Sequence, residues 1–310
     1  MIRYNNISAQ KISWLKSNKK LLQKNSNAIR TLVYPESINE LEKIVKVLYS
    51  QHKKFDIIGW SSNTLFMPSY KIDYLICTKK LNEWEEKDKL IICDSGVSIS
   101  KLARECVKKG YKGYYGLIDL PGTIAAAVYG NCGCFDCSII ELLDHITLLN
   151  EEGNVVELYP EDLRPTLRSS VLKRKEINGI ITKVYLKINK GNADEETKKA
   201  NKAREIRQHT QPNGINNLGS TFVLGKELSK KGHRYYWIVS NLRKWLRIKN
   251  ERIIFSMALT LIGGHKFTPY LFDLGRWMFY DTKSYDLLFK YERFIKSLFP
   301  KAHLEIEVRK

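Results

Sequence analysis

The stretch GYYGLIDLPGTIAAAVYGNCGCFDCSI, residues 113–139, reads as neither a regular helix nor a strand. Two glycines bracket a pair of tyrosines, and a Leu-Pro-Gly-Thr turn follows. Ala125, Ala126 and Ala127 then lead into a knot of Gly, Asn and Cys. Small residues at this density let a backbone come close to something: a neighbouring helix, a metal or a flat ligand. Pro121-Gly122-Thr123 stands just ahead of a short helix of small residues, so free N–H groups at the helix start are predicted to face a phosphate. Tight helix packing also explains the alanines, but not Gly130, Asn131 and Gly133 directly behind them.

The metal reading is the weakest of the three. Cys132, Cys134 and Cys137 form C-x-C-x-x-C, whereas a structural zinc site takes four ligands. The nearest candidate for a fourth is His145, at an irregular spacing. Ordinary reduced thiols and no metal are expected.

Upstream lies a second loop of the same kind, Gly59-Trp60-Ser61-Ser62-Asn63-Thr64-Leu65, at the end of a predicted strand FDIIGW. Gly and Ser residues after a strand expose backbone N–H groups, and such a nest binds anionic oxygens. An ordinary strand-to-loop turn has the same composition, so either loop alone is a weak signal.

Around these loops the chain reads as alternating elements. Ser37 and Glu40 form a capping box ahead of a helix whose Leu41, Ile44, Val45 and Leu48 share one face. YLICT (74–78), KLIICDSGV (89–97) and GIITKVYLKI (179–188) read as strands, and HITLLN (145–150) with VVELY (155–159) as a strand pair. SISKLARECVKKG (98–110) is a helix with a Ser start and a stop at Gly110. The polar run KGNADEETKKANKAREIRQ is predicted to be a solvated helix linking two domains. A stripe of Leu287, Leu288, Tyr291, Phe294, Ile295 and Leu298 marks a buried helix, and Leu304 to Val308 reads as one alternating strand with Glu305 and Glu307 on its exposed face.

Composition sets the class. Hydrophobic residues make up 43% and charged residues 27% of the 310, which predicts a packed globular core. No apolar h-region opens the chain, and the longest apolar stretch, IIFSMALTLIGG (253–264), is too short to span a bilayer. A cytoplasmic protein without membrane contact is expected. The 52 Lys+Arg against 33 Asp+Glu give a formal charge of +19, a field that attracts phosphates on nucleotides or nucleic acid. The basic residues are spread along the chain rather than blocked, which argues against a nucleic-acid partner.

Taken together, the two loops resemble the FAD-binding half of the UDP-N-acetylenolpyruvoylglucosamine reductases. In that family a GGGSN-hydrophobic loop precedes GIPGT-small-GGAV…NAG-aromatic-G. Here GWSSNTL and DLPGTIAAAVYGNCGCFD stand in those places. The family's YR-x-S-x-F element is similar to Leu167-Arg168-Ser169-Ser170-Val171-Leu172. Its R…QP…AGS-x-F is similar to Arg207, Gln211, Pro212 and Leu218-Gly219-Ser220-Thr221-Phe222, and its LE-x-EVR ending to LEIEVRK.

The resemblance implies an α+β fold. A two-part FAD-binding domain of the vanillyl-alcohol oxidase type would occupy 1–80 and 81–190, and a C-terminal α+β substrate domain 191–310. It implies non-covalent FAD held by Gly59, Trp60, Ser61, Ser62, Asn63, Thr64, Leu65, Pro121, Gly122, Thr123, Ala126, Ala127, Asn131, Gly133 and Ile181. NADPH would be the hydride donor and an enolpyruvyl sugar nucleotide the substrate, in peptidoglycan precursor synthesis, with the protein a monomer. Arg168 would stabilise the developing carboxylate charge, Ser220 would donate the proton, and Glu307 would assist.

Departures fall in both halves, and the cofactor half is the better preserved. Trp60 and Ser61 stand where glycines are usual, and Ala125-Ala126 replace a Gly pair. Where the family has FKNP, this chain has Phe222-Val223-Leu224-Gly225, without the Lys and the substrate-contacting Asn. A flavoenzyme acting on another sugar nucleotide therefore stays open, as does a non-catalytic basic protein that binds nucleic acid.

Overall fold

A computed structural model describes residues 29–212, 217–246, 250–280 and 282–310. Contacts divide the chain into two compact units. The first takes 29–62 and Lys71–Gln211, and the second takes Asn63–Tyr70 and Pro212–Lys310.

The described residues open with β1 (Ile29–Val33), helix α1 (Ile38–Ser50), β2 (Phe55–Ile58), β3 (Thr64–Phe66) and β4 (Ile72–Cys77). In the first unit, β1, β4 and β2 form a parallel three-stranded sheet in that order. Helix α1 starts where the capping box predicts. The Glu40 N–H donates to Ser37 Oγ at 3.2 Å, and the Glu40 carboxylate accepts from the Glu36 N–H at 2.7 Å. Its apolar stripe of Leu41, Ile44, Val45 and Leu48 is buried with Val33, Ile76, Leu149 and Ile180. Each such side chain contributes roughly 1.5–3 kcal/mol on burial.

Next come β5 (Trp84–Lys87), β6 (Leu90–Asp94), helix α2 (Ile99–Lys108), the short helix α3 (Ile124–Tyr129), the hairpin β7 (Gly133–Cys134) and β8 (Cys137–Ser138), and α4 (Ile139–Leu142). β9 (Leu143–Leu149), β10 (Val155–Leu158), β11 (Ile180–Lys187) and helix α5 (Ala193–Thr210) complete the unit. An antiparallel sheet runs β10-β9-β11-β6-β5. β11 lies at its centre, and its Ile181, Val184 and Leu186 are buried in the same core as Leu102, Val128 and Ile146.

Helix α5 corrects the sequence reading, which placed 191–310 in a separate domain and made this helix a solvated linker. Its Ala200 and Ala203 are buried, and it packs on α2 and the 3-10 turn Tyr115–Leu117. Arg204 Nε donates to Asp119 at 2.8 Å and Arg207 Nη2 to the Gly116 carbonyl at 3.2 Å. Two alanines one turn apart make a narrow packing stripe that a charged composition hides.

The second unit contains β3, β12 (Phe222–Val223), helices α6 (Lys230–Leu246) and α7 (Glu251–Leu261), β13 (Leu271–Asp273), β14 (Arg276–Trp277), helix α8 (Thr282–Leu298), β15 (His303–Leu304) and β16 (Glu307–Arg309). Trp277, Tyr291, Phe267, Leu288, Ile295 and Leu298 fill its core. The predicted single strand over Leu304–Val308 is broken in two. β15 pairs with β12, while β16 pairs in parallel with β3, Glu307 opposite Thr64. Glu305 and Glu307 are half-buried rather than exposed, because each half of the segment has its own partner strand.

Candidate functional site

Two loops far apart in sequence meet in the first unit. The Ser62 hydroxyl donates to the Pro121 carbonyl at 2.9 Å. A Cβ on Gly59 would lie 2.5 Å from Thr123 Oγ1 and 2.8 Å from its Cγ2, so only glycine lets the loops approach this closely. Gly122 has φ +132 and Ser61 φ +49, which turn the backbone amides of both loops. Among the described residues, the N–H groups of Ser61, Ser62, Gly122 and Thr123 donate to no carbonyl or side chain, and the buried Ser61 Oγ has no partner. Buried or inward-turned donors without acceptors are costly unless a ligand supplies the acceptor. This donor set suits the diphosphate of FAD.

The start of α3 does not supply the donors predicted there. The Ile124 N–H donates to the Val97 carbonyl at 2.8 Å and the Ala125 N–H to the Ser95 carbonyl at 3.3 Å. The Ala126 N–H is taken by Thr123 Oγ1 at 3.3 Å. The anion nest therefore lies ahead of the helix, in the loops. Ser95 was missed in the sequence: it is fully buried, with no partner for its Oγ among the described residues. The signal was its neighbour Gly96, where a Cβ would meet the Thr78 carbonyl oxygen at 1.9 Å. Of the paired alanines, Ala126 is exposed and Ala127 is core; Ile181 likewise sits in the core of the five-stranded sheet.

The cysteine segment folds as a two-residue hairpin, with Phe135 (φ +50) and Asp136 (φ +58) at its tip. Gly116 is required beside it, since a Cβ there would meet the Cys134 carbonyl oxygen at 2.1 Å. Cys137 Sγ accepts the Gly116 N–H at 3.3 Å, and burial pushes its thiol pKa up. Arg168, itself at φ +58, donates from Nη2 to the Gly133 carbonyl at 2.5 Å and from Nη1 to the Asn131 carbonyl at 3.4 Å. Asn131 Nδ2 in turn donates to the Thr166 carbonyl at 2.8 Å. His145 stacks on Tyr185, with ring centroids 3.9 Å apart, and pairs with Asp144 at 2.8 Å. Among the described residues no cluster of three or more His, Cys, Asp or Glu is arranged to hold a metal ion.

In the second unit a cavity of about 570 Å³ carries Ser220, Phe222 and Leu224 on one wall, and Tyr235, Arg243 and Arg276 on others. Alternate residues from Ser220 onward face it, as strand periodicity dictates. The Thr221 and Phe222 N–H groups fix this wall through the Gly275 carbonyl, at 2.8 and 3.0 Å. Arg276 pairs with Asp273 at 2.6 Å and Arg243 with Glu251 at 2.5 Å. Ser220 is half-buried and follows Gly219, whose φ of +79 makes the turn. Asn63, Thr64 and Leu65 belong to this unit. Thr64 and Leu65 lie in β3, and the Glu307 N–H donates to the Asn63 carbonyl at 2.8 Å. Glu307 is not on the cavity wall; its Oε1 is buried beside β3.

Residues 29–159 match the family model described as FAD binding domain. Over 195 residues the chain is 29% identical to the UDP-N-acetylenolpyruvoylglucosamine reductase of Caldicellulosiruptor saccharolyticus, covering 62% of each chain. It is 29% identical over 233 residues to the enzyme of that name from Borrelia garinii subsp. bavariensis, covering 73% of this chain and 75% of the relative. The chain is thus similar to enzymes named UDP-N-acetylenolpyruvoylglucosamine reductase, and its residues 29–159 are an FAD binding domain. The aligned segment spans less than two thirds of the Caldicellulosiruptor relative's length. The fold is also that of the crystal structure of the Thermus caldophilus UDP-N-acetylenolpyruvylglucosamine reductase, with a TM-score of 0.68 at 18% identity over the whole of both chains. The α+β class and the FAD-binding domain expected from the sequence are thereby established, and FAD is the cofactor.

Proposed function

We propose that this protein is a reductase that uses FAD to pass hydride from NADPH to an enolpyruvyl sugar nucleotide. The observation that carries the reading is the junction of the 59–62 and 121–123 loops, with four N–H groups lacking acceptors among the described residues. The Ser61, Ser62, Gly122 and Thr123 amides bind the cofactor diphosphate, and Gly59 keeps the two loops in contact. When bound, FAD supplies two-electron redox chemistry between the nicotinamide and the enolpyruvyl double bond. Ser220 donates a proton to the carbon that gains negative charge, and Glu307 assists that protonation. Arg168 holds the backbone of residues 131–133, and it meets a substrate carboxylate by exchanging one of its two carbonyl acceptors.

The test combines a visible spectrum with turnover. Purified protein is expected to be yellow, to release intact FAD on denaturation, and to oxidise NADPH when given enolpyruvyl-UDP-N-acetylglucosamine. Colourless protein that cannot be reconstituted with FAD overturns the reading in favour of a non-catalytic basic protein.

A second reading is favoured by Leu224, an apolar side chain on the cavity wall that carries Ser220. Here the protein reduces a different sugar nucleotide in surface-polysaccharide synthesis. Flavin-loaded protein that NADPH reduces, but that the enolpyruvyl substrate does not reoxidise, selects this reading.

A further inference from the structure

We propose that the second unit binds anionic lipid headgroups through helix α6 and the neighbouring face of α7, which makes the protein a peripheral visitor to a negatively charged membrane surface. No membrane contact is expected from the sequence, and among the described residues no helix is long and apolar enough to cross a bilayer. Lying on a bilayer needs different features, and α6 has them.

Helix α6, KKGHRYYWIVSNLRKWL, carries Lys230, Lys231, Arg234, Arg243 and Lys244 and no acidic residue. Lys230, Arg234, Trp237, Asn241 and Lys244 follow one another at i, i+4, i+7, i+11 and i+14, a single helical face. That face points outward: Trp237 is 64% and Trp245 74% exposed, while Tyr235 and Ile238 are buried. Among the described residues no carboxylate pairs with Lys230, Arg234 or Lys244. Helix α7 adds Ile253, Met257 and Leu261, spaced i, i+4 and i+8 and all exposed, over a buried stripe of Ile254, Ala258 and Leu259.

An exposed indole is unfavourable in water and suits the headgroup layer, where its ring is dehydrated and its N–H still finds an acceptor. Lys and Arg on the same face meet lipid phosphates, and their methylene stems lie along the apolar boundary. This layering of cation, indole and aliphatic side chain is that of an interfacial helix. A nucleic acid would use the cations and the indoles, but it offers nothing to Ile253, Met257 and Leu261. The charge of +19 selects a negative surface over a neutral one.

The experiment uses the full-length, flavin-loaded protein and co-sedimentation with vesicles of phosphatidylglycerol and phosphatidylcholine in equal parts, against vesicles of phosphatidylcholine alone. Binding to the anionic vesicles only, weakening as salt rises, is expected. Trp237→Ala with Trp245→Ala, and separately Lys230→Gln with Arg234→Gln and Lys244→Gln, should each weaken binding at least about tenfold. These side chains are exposed, and unchanged flavin content checks that the variants are folded. Failure to pellet with anionic vesicles, or undiminished binding by both variants, overturns the proposal. So does a single-stranded oligonucleotide that binds more tightly than the vesicles and loses affinity in the same variants. Lipid-independent self-association abolished by the tryptophan changes overturns it in favour of a second copy of the chain.

Discussion

In the first unit the candidate site is made of backbone: amides of Ser61, Ser62, Gly122 and Thr123, brought together because Gly59 has no Cβ. In the second it is made of side chains, with Ser220, Leu224, Tyr235 and three arginines around a cavity. The two materials respond differently to substitution. A nest of N–H groups depends on φ, ψ and clearance, so it tolerates few residue types and keeps a recognisable spelling. A cavity wall changes chemistry whenever one outward side chain changes, while the strand beneath it stays put. Phe222 and Val223 pair with β15, while the apolar Leu224 that follows them faces the cavity. One strand can thus keep its pairing while the pocket that it lines changes chemistry.

Four experiments break or sharpen this contrast, beginning with the largest effect. Ser220→Ala should slow reoxidation of the reduced protein by the enolpyruvyl substrate about 10²-fold, while reduction by NADPH stays near normal. Stopped-flow traces of the two half-reactions decide it, and equal losses in both would make the serine structural. Gly59→Ala forces a methyl group against Thr123 Oγ1 and should lower FAD affinity about tenfold, the low end of an overpacking cost of roughly 1–3 kcal/mol. Thr123→Ala in the same chain removes both clashing atoms and should recover part of the loss in a FAD titration. Unchanged affinity in Gly59→Ala alone would mean that the loops need not touch.

Leu224→Asn returns a polar group to the cavity wall. The KM for the enolpyruvyl sugar nucleotide should fall several-fold, worth about 1 kcal/mol, with FAD affinity unaffected. An unmoved KM would separate this wall from substrate binding. The smallest effect is at Asp119, whose carboxyl is held below its usual range first by the hydrogen bond from Arg204 and then by Arg104. Its folded pKa lies below the unfolded value, so the stabilisation is present above about pH 4 and is lost as pH falls through the folded value. Asp119→Asn should cost less than about 1 kcal/mol at pH 7, because the group is partly exposed, and should flatten the acid side of the stability profile. Asn accepts the φ of +63 at this position, which isolates the charge. Urea titrations at pH 7 and pH 2 measure it, and parallel losses at both would assign the effect to packing.

Signals local in sequence were legible. Ser37 with Glu40, Ser98 with Gly110, and the turn between β9 and β10 each fix their element within a few residues. Features that depend on distant partners were not. The amides at the start of α3 look free until Val97 and Ser95, brought alongside by β6 and the loop after it, supply carbonyls. Leu304 to Val308 looks like one strand because nothing local reveals that Phe222 and Thr64 pair with its two halves. Arg168 reads as a ligand-binding cation, and its carbonyl partners at Asn131 and Gly133 lie more than a full hairpin away in the chain. The flavin loops were readable for the opposite reason: glycine, serine and proline are the residues that such a backbone requires.

The parallel pairing of β3 with β16 has a consequence for how the protein is made. Thr64 leaves the ribosome early, and its ladder partner Glu307 leaves after 242 intervening residues have been added. At typical synthesis rates of about 5–20 residues per second, that interval lasts at least roughly 12 seconds. The two sheets of the first unit need nothing beyond Lys187, so they can form on the nascent chain while residues 63–70 wait, apolar and unpaired. Completion of the second unit is therefore a late, long-range event, the slow kind in folding kinetics. During that delay Leu65 and Phe66, both fully buried in the finished protein, are the segment that a chaperone would have to shield.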